Sequence, residues 1–204
     1  MSEHAGKPDG ATKEKGALER LSAALGNIPP GKAPHSVERW NPAYCGEIDM
    51  RIAADGTWFY NGSPIGRLPL VKLFASILRK DPDRYVLVTP VERVGIAVED
   101  APFQAVEMAV EGRGEHRQIA FRTNVDDLVK VGPHHPLRFD RDPAGGLKPY
   151  LRVRGELWAR VTRALAYDLV ELGEERELSG KRVFGVAAGG EFYPIAPASE
   201  AADL

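Results

Sequence analysis

The sequence predicts an α+β protein of two related units, each built from antiparallel hairpins and one amphipathic helix. Three observations carry that prediction. First, an arginine followed by apolar residues at +3, +7 and +11 occurs twice, as Arg67, Leu70, Phe74 and Leu78 and as Arg154, Leu157, Val161 and Leu165. On a helix this spacing makes one apolar stripe with the arginine at its entry. Second, apolar and polar residues alternate on either side of Asp55-Gly56, a pair that tolerates the positive φ of a hairpin turn. Third, a long middle stretch holds short β-prone runs separated by turn residues. Any two amphipathic helices share apolar spacing, so the echo gains weight from the common order of hairpin, arginine, helix and following strand.

Residues 1–35 are expected to be a flexible tail carrying one short helix. Met1 to Gly16 is polar and charged with little to bury, Leu18, Leu21 and Leu25 form a short stripe, and the segment from Gly26 to Pro34 is rich in proline and glycine. An N-terminal ββα unit is expected over residues 36–84. Ile48, Met50 and Ile52 alternate, Trp58 to Tyr60 is strongly β-prone, and a helix is predicted from Leu68 to Lys80, with Pro69 in its first turn and Asp81-Pro82 as its stop.

The C-terminal unit is expected over residues 85–197. Strands are predicted at Tyr85 to Thr89, Arg93 to Val98, Gln104 to Val110, Gln118 to Thr123, Leu128 to Val131 and Leu137 to Phe139. A turn over Asp142 to Gly146 precedes an alternating run at Tyr150 to Val153. A helical stripe from Gly155 to Leu172 runs through Leu157, Val161, Leu165, Leu169 and Leu172, with Gly173 as its end. A final hairpin spans Val183 to Ile195 around Gly189-Gly190, and residues 198–204 form a short acidic tail.

Composition narrows the function classes. With 43% hydrophobic and 27% charged residues the chain sits near globular averages, and its net charge of −2 supplies no global basic field. A sequence-independent grip on nucleic acid or an anionic membrane is therefore not expected, nor is sequence-specific nucleic-acid binding, and no run approaches the roughly 18 apolar residues that a membrane span requires. The single cysteine, Cys45, cannot form an internal disulfide, and the N-terminus lacks a secretory apolar core. A reducing cytoplasm is the expected location.

The usual catalytic and metal constellations are weak. Cys45 lies between Tyr44 and Gly46 with no adjacent activating histidine. His134 and His135 are neighbours and would face opposite ways if extended, and Asp126-Asp127 and Asp140-x-Asp142 are turn-like. Gly112-Arg113-Gly114 and Gly145-Gly146 read as hairpin turns rather than as phosphate loops. What stands out is Arg67 and Arg154, each placed before a predicted helix, where a cation opposes the helix dipole. Two compensations are open. One is an ion pair with a carboxylate such as Glu92 or Asp49. The other is a ligand anion at the junction of the copies, shared with Arg122, Asn124 and His134. Trp58 and Tyr60 could stack on a base, although alternating strand aromatics are usually core residues.

The stretches Trp40-x-Pro42, Cys45-Gly46-x-Ile48-Asp49-Met50-x-Ile52 and Asp55-Gly56-x-Trp58-x-Tyr60-x-Gly62-x-Pro64-Ile65-x-Arg67 resemble the opening of the bacterial domain-of-unknown-function family 1285. Tyr85 to Glu92 and Val98 to Phe103 resemble its next block. The resemblance implies a duplicated core, a C-terminal half superficially like pleckstrin-homology folds, a ligand site between the halves for something nucleotide-like, and a role in signal transduction. It brings no established catalytic or binding residues.

These readings lead to a non-catalytic, cytoplasmic regulatory or signalling module that binds a small anion between its two units. The candidate ligand-binding residues are Arg67, Arg154, Arg122, Asn124, His134, Trp58, Tyr60 and Glu92. The alternatives are a protein-interaction module that uses sheet edges to hold a partner, and a phosphate-ester-directed enzyme with His134 or Glu92 as general base.

Overall fold

The computed structural model describes residues 37–203, so the expected N-terminal tail, its short helix and its linker lie outside the described residues. The chain is α+β and divides into two compact units, the first holding residues 37–51 and 58–97 and the second 52–57 and 98–203.

In the first unit, strands β1 (Tyr44–Ile52), β2 (Trp58–Tyr60), β3 (Ser63–Pro64), β4 (Leu78–Lys80), β5 (Tyr85–Val88) and β6 (Arg93–Val98) form one sheet in the order β3-β2-β1-β6-β5-β4. Helix α1 (Leu68–Ser76) carries Pro69 in its first turn and buries Val71, Phe74 and Ala75. The Phe74 ring stacks on Trp58 with centroids 6.3 Å apart, so the hairpin and the helix close one apolar core. The predicted helix is shortened at its end. Ile77 and Leu78 enter strand pairing instead, with the Val88 N–H donating to the Ile77 carbonyl at 3.0 Å and Leu78 opposite Leu87. Both residues are fully buried, so the apolar pattern was right and the backbone state was decided by the neighbouring β5 run. The unit boundary expected before Tyr85 falls after Ala97, because β5 and β6 pair within this sheet.

The second unit holds β7 (Phe103–Glu111), β8 (Gln118–Thr123), β9 (Leu128–Lys130), β10 (Leu137–Arg141), β11 (Leu147–Arg154) and β12 (Leu157–Val161) in the order β10-β11-β12-β7-β8-β9. Pairing is antiparallel except for the parallel β12–β7 contact. Helix α2 (Arg163–Glu171) follows, then an antiparallel meander of β13 (Glu174–Leu178), β14 (Lys181–Ala188) and β15 (Glu191–Pro197). A 3-10 helix over Ala198–Asp203 follows β15.

The predicted helical stripe from Gly155 is corrected here. Gly155, at φ +47°, turns the chain between β11 and β12, and Leu157, Ala159 and Val161 are buried while Trp158 and Arg160 point out. Leu157 and Val161 are four residues apart, a spacing that shares a face on a strand as well as on a helix. Only from Arg163 onward is the stripe helical, burying Ala166 and Leu169. Arg154 therefore ends a strand and does not enter a helix. Two turns read from sequence are present as expected. Asp142 Oδ1 accepts from the N–H groups of Ala144 and Gly146, and Asp55 Oδ1 accepts from Thr57 N–H.

Candidate functional site

Two depressions in the second unit share a border formed by Arg160 and Arg163. One is a cavity of about 310 Å³ whose walls include Leu147, Lys148, Val161, Ala166 and Val170. The other is a broader hollow of about 500 Å³ lined by Asp55, Gln104, Asn124 and Thr162 as well as the two arginines. Strand alternation turns Arg160 outward while Val161 points in, and Thr162, extended at the N-cap of α2, places Arg163 in the helix's first turn.

The broader hollow is shaped by a close approach at Gly56. A Cβ there would lie 2.8 Å from Gln104 Cγ and 2.9 Å from Asn124 Nδ2, and its φ of +84° is itself a glycine conformation. Gln104 Nε2 donates to the Ala54 carbonyl at 3.1 Å and Asn124 Oδ1 accepts from Gln104 N–H at 3.0 Å, so the amide side chains are tied down.

The electrostatics of the border are asymmetric. Arg160 donates to Asp100 Oδ2 at 3.2 Å, and the same carboxylate accepts the Tyr150 hydroxyl at 2.7 Å and lies 4.0 Å from Lys148 Nζ. Burial, and then the Asp100 carboxylate, push the Tyr150 phenol well above the ordinary tyrosine range, which keeps it a donor. Among the described residues Arg163 donates only to Tyr167, from Nε at 3.2 Å and Nη2 at 3.0 Å. That contact shifts the already high pKa of the guanidinium further upward. No carboxylate lies within ion-pair reach of Arg163 among the described residues. Around the two depressions Lys148, Arg160 and Arg163 stand against Asp55, Asp100 and Asp142, so the positive charge is local to Arg163 and not a property of the whole border.

The residues singled out from sequence are distributed otherwise. Asn124 lines the broader hollow. Arg154 pairs with Asp127 at 2.9 Å and lies over the Phe103 ring at 5.0 Å. Arg122 is held by Glu107 and, at 2.7 Å, by Asp126. Arg154 is thus ion-paired with Asp127, and because it closes a strand, no helix dipole is left there for a ligand anion to offset. Arg67 is exposed at the N-cap of α1. His134 is exposed in the turn between β9 and β10, Trp58 is core, Tyr60 is half-buried, and Glu92 is buried in the β5–β6 turn beside Thr89. Arg160, Arg163, Lys148 and Tyr167 were missed. Thr162 followed by Arg163, a capping residue before a helix, was the available signal, hidden by placing the helix start at Gly155.

Among the described residues no group of three or more His, Cys, Asp or Glu side chains is arranged to hold a metal ion, and no helix is long and apolar enough to cross a membrane.

Comparison with known proteins places these units in a family. Residues 34–101 match the domain of unknown function DUF1285, N-terminal domain, and residues 102–195 match the C-terminal domain of the same family. A crystal structure of a DUF1285 family protein from Silicibacter pomeroyi DSS-3 is similar at 45% identity and a TM-score of 0.79, covering 88% of this chain and 96% of that one. Another, from Shewanella baltica OS155, shares 33% identity over 60% of this chain and 90% of that one, with a TM-score of 0.47. No curated protein matches the chain.

Proposed function

The chain belongs to the DUF1285 family, and we propose that its second unit is a non-catalytic module that binds a small anionic ligand on the Arg160/Arg163 border for a regulatory or signalling purpose in the cytoplasm. One observation carries the reading. Arg163 presents a guanidinium with no carboxylate partner among the described residues, beside a second arginine, between two depressions large enough for a small molecule. Guanidinium forks suit phosphate and carboxylate groups better than ammonium does. A nucleotide-like ligand is one arm of this proposal. His134, in an exposed turn, and Glu92, in the first unit, add no support for phosphate-ester turnover.

The test is a thermal-shift panel of inorganic phosphate, nucleotides and organic anions at low salt. A ligand at 100 times its Kd stabilises by about 2.7 kcal/mol, and the tenfold weaker binding expected of Arg163→Gln should cut that to about 1.4 kcal/mol at the same concentration. No shift with any anion at millimolar concentration would overturn the reading.

The finer architecture is part of the same proposal. An internal duplication is supported by the common order of one helix followed by three antiparallel strands, α1-β4-β5-β6 and α2-β13-β14-β15. Superposition of the two segments, and of the second unit on a pleckstrin-homology domain, tests duplication and likeness separately.

A further inference from the structure

We infer that the smaller cavity takes the apolar body of an amphipathic organic anion, a short-chain or single-ring carboxylate, while its charged group rests on Arg163. This rests on the small-anion reading and specifies the ligand class for the same border. The walls decide it. Ala166 and Val170 are four residues apart and share one face of α2, with Arg163 a turn earlier on that face. Leu147 from the start of β11 and Val161 from the end of β12 add alkyl surface opposite the helix, within a lining that also carries Asp142, Lys148 and Arg160. The helix thus offers the Arg163 guanidinium at one end and the Ala166 and Val170 alkyl groups further along, matching a charged head and a short apolar tail.

Size and hydrogen bonding narrow the class. At about 310 Å³ the cavity is at the small end of ligand sites, suited to one ring or a short chain. An inorganic anion would gain nothing from the alkyl side chains, and a neutral hydrocarbon would gain nothing from the Arg163 guanidinium. Tyr167 accepts from Nε and Nη2 of Arg163 and lies 5.7 Å beneath its guanidinium. Nη1 makes no hydrogen bond among the described residues and is left for a carboxylate oxygen.

The experiment titrates the full chain at low ionic strength with butyrate, hexanoate, benzoate, hexanol and inorganic phosphate, following the methyl resonances of Val161, Ala166 and Val170 together with the melting temperature. Hexanoate and benzoate are expected to move these methyls, with affinity rising about fourfold for each methylene from butyrate to hexanoate. Arg163→Gln should weaken hexanoate about tenfold. Ala166→Leu, which fills the cavity, should abolish hexanoate binding and leave the phosphate shift intact; should that variant not fold, the methyl titration of the unaltered chain decides. Equal stabilisation by phosphate and hexanoate with unmoved methyls overturns this inference and leaves the small-anion reading standing. Equal binding of hexanol and hexanoate overturns it as well, and silence from every anion removes both.

Discussion

Arg79 shows how much one side chain can hold in place. Its guanidinium donates to the carbonyls of Val37 at 2.8 Å and Trp40 at 2.7 Å and grips Asp81 through Nε at 2.7 Å, with only 15% of the side chain exposed. Asp81 in turn accepts Arg93 at 3.1 Å. Arg79→Met removes four donated bonds from a part-buried network, and about 3 kcal/mol should be lost in urea unfolding. Tyr193 is the opposite case. It is 7% exposed and its hydroxyl meets no partner among the described residues, so Tyr193→Phe should be neutral or stabilising by up to about 1 kcal/mol. Burial pushes the Tyr193 phenol up to about 12. A pKa raised above the unfolded value means that the folded state keeps its proton longer. Stability from this group is therefore complete below pH 10 and falls as pH climbs toward 12. Unfolding midpoints at pH 9 and pH 11 should differ less in Tyr193→Phe than in the parent.

At the scale of elements, the junction between α2 and the C-terminal meander depends on a missing side chain. A Cβ on Gly173 would stand 2.0 Å from Phe184 Cζ, so the helix end and β14 pack with nothing between them. Gly173→Ala should cost about 1 to 3 kcal/mol, read as a lower melting temperature, and Phe184→Leu in the same chain should recover part of it. Gly173 was legible as a helix end, but its closeness to Phe184 was not, since that contact needs β14 to fold back. Element boundaries behaved alike. Arg93–Val98 and Gln118–Thr123 match the short β-prone runs read between turn residues, and Tyr85–Val88 ends one residue before the expected Thr89. The two helices were over-extended where apolar residues remained buried after the helix had ended, at Ile77 and Leu78, or before it began, at Leu157 and Val161. The short β3 and the charged Glu174–Leu178 of β13 carried no apolar alternation and were not anticipated.

For the whole molecule, the useful distinction is between arginines with and without carboxylates. Arg122 and Arg154 were candidate ligand groups, yet Glu107 and Asp126 hold the first and Asp127 the second. Arg122→Gln should therefore change the affinity for an anion bound on Arg163 by less than about twofold, while Arg163→Gln lowers it about tenfold. Parallel titrations of the two variants with hexanoate check this, and a larger loss in Arg122→Gln would relocate the site. Raising salt toward 1 M, where screening acts within about 3 Å, should weaken binding in the parent.

By itself the sequence determined the α+β class, the turns at Asp55-Gly56 and Asp142, and which residues go inside, because turn chemistry and apolar alternation act over a few neighbours. The tertiary structure decided two further matters. Residues four apart share a face in a helix and in a strand, so only pairing partners could assign Leu157 and Val161 to β12. Charge compensation joins residues far apart in the chain, Arg154 with Asp127 across 27 positions and Arg160 with Asp100 across 60. Which guanidinium is left for a ligand is a property of folded space.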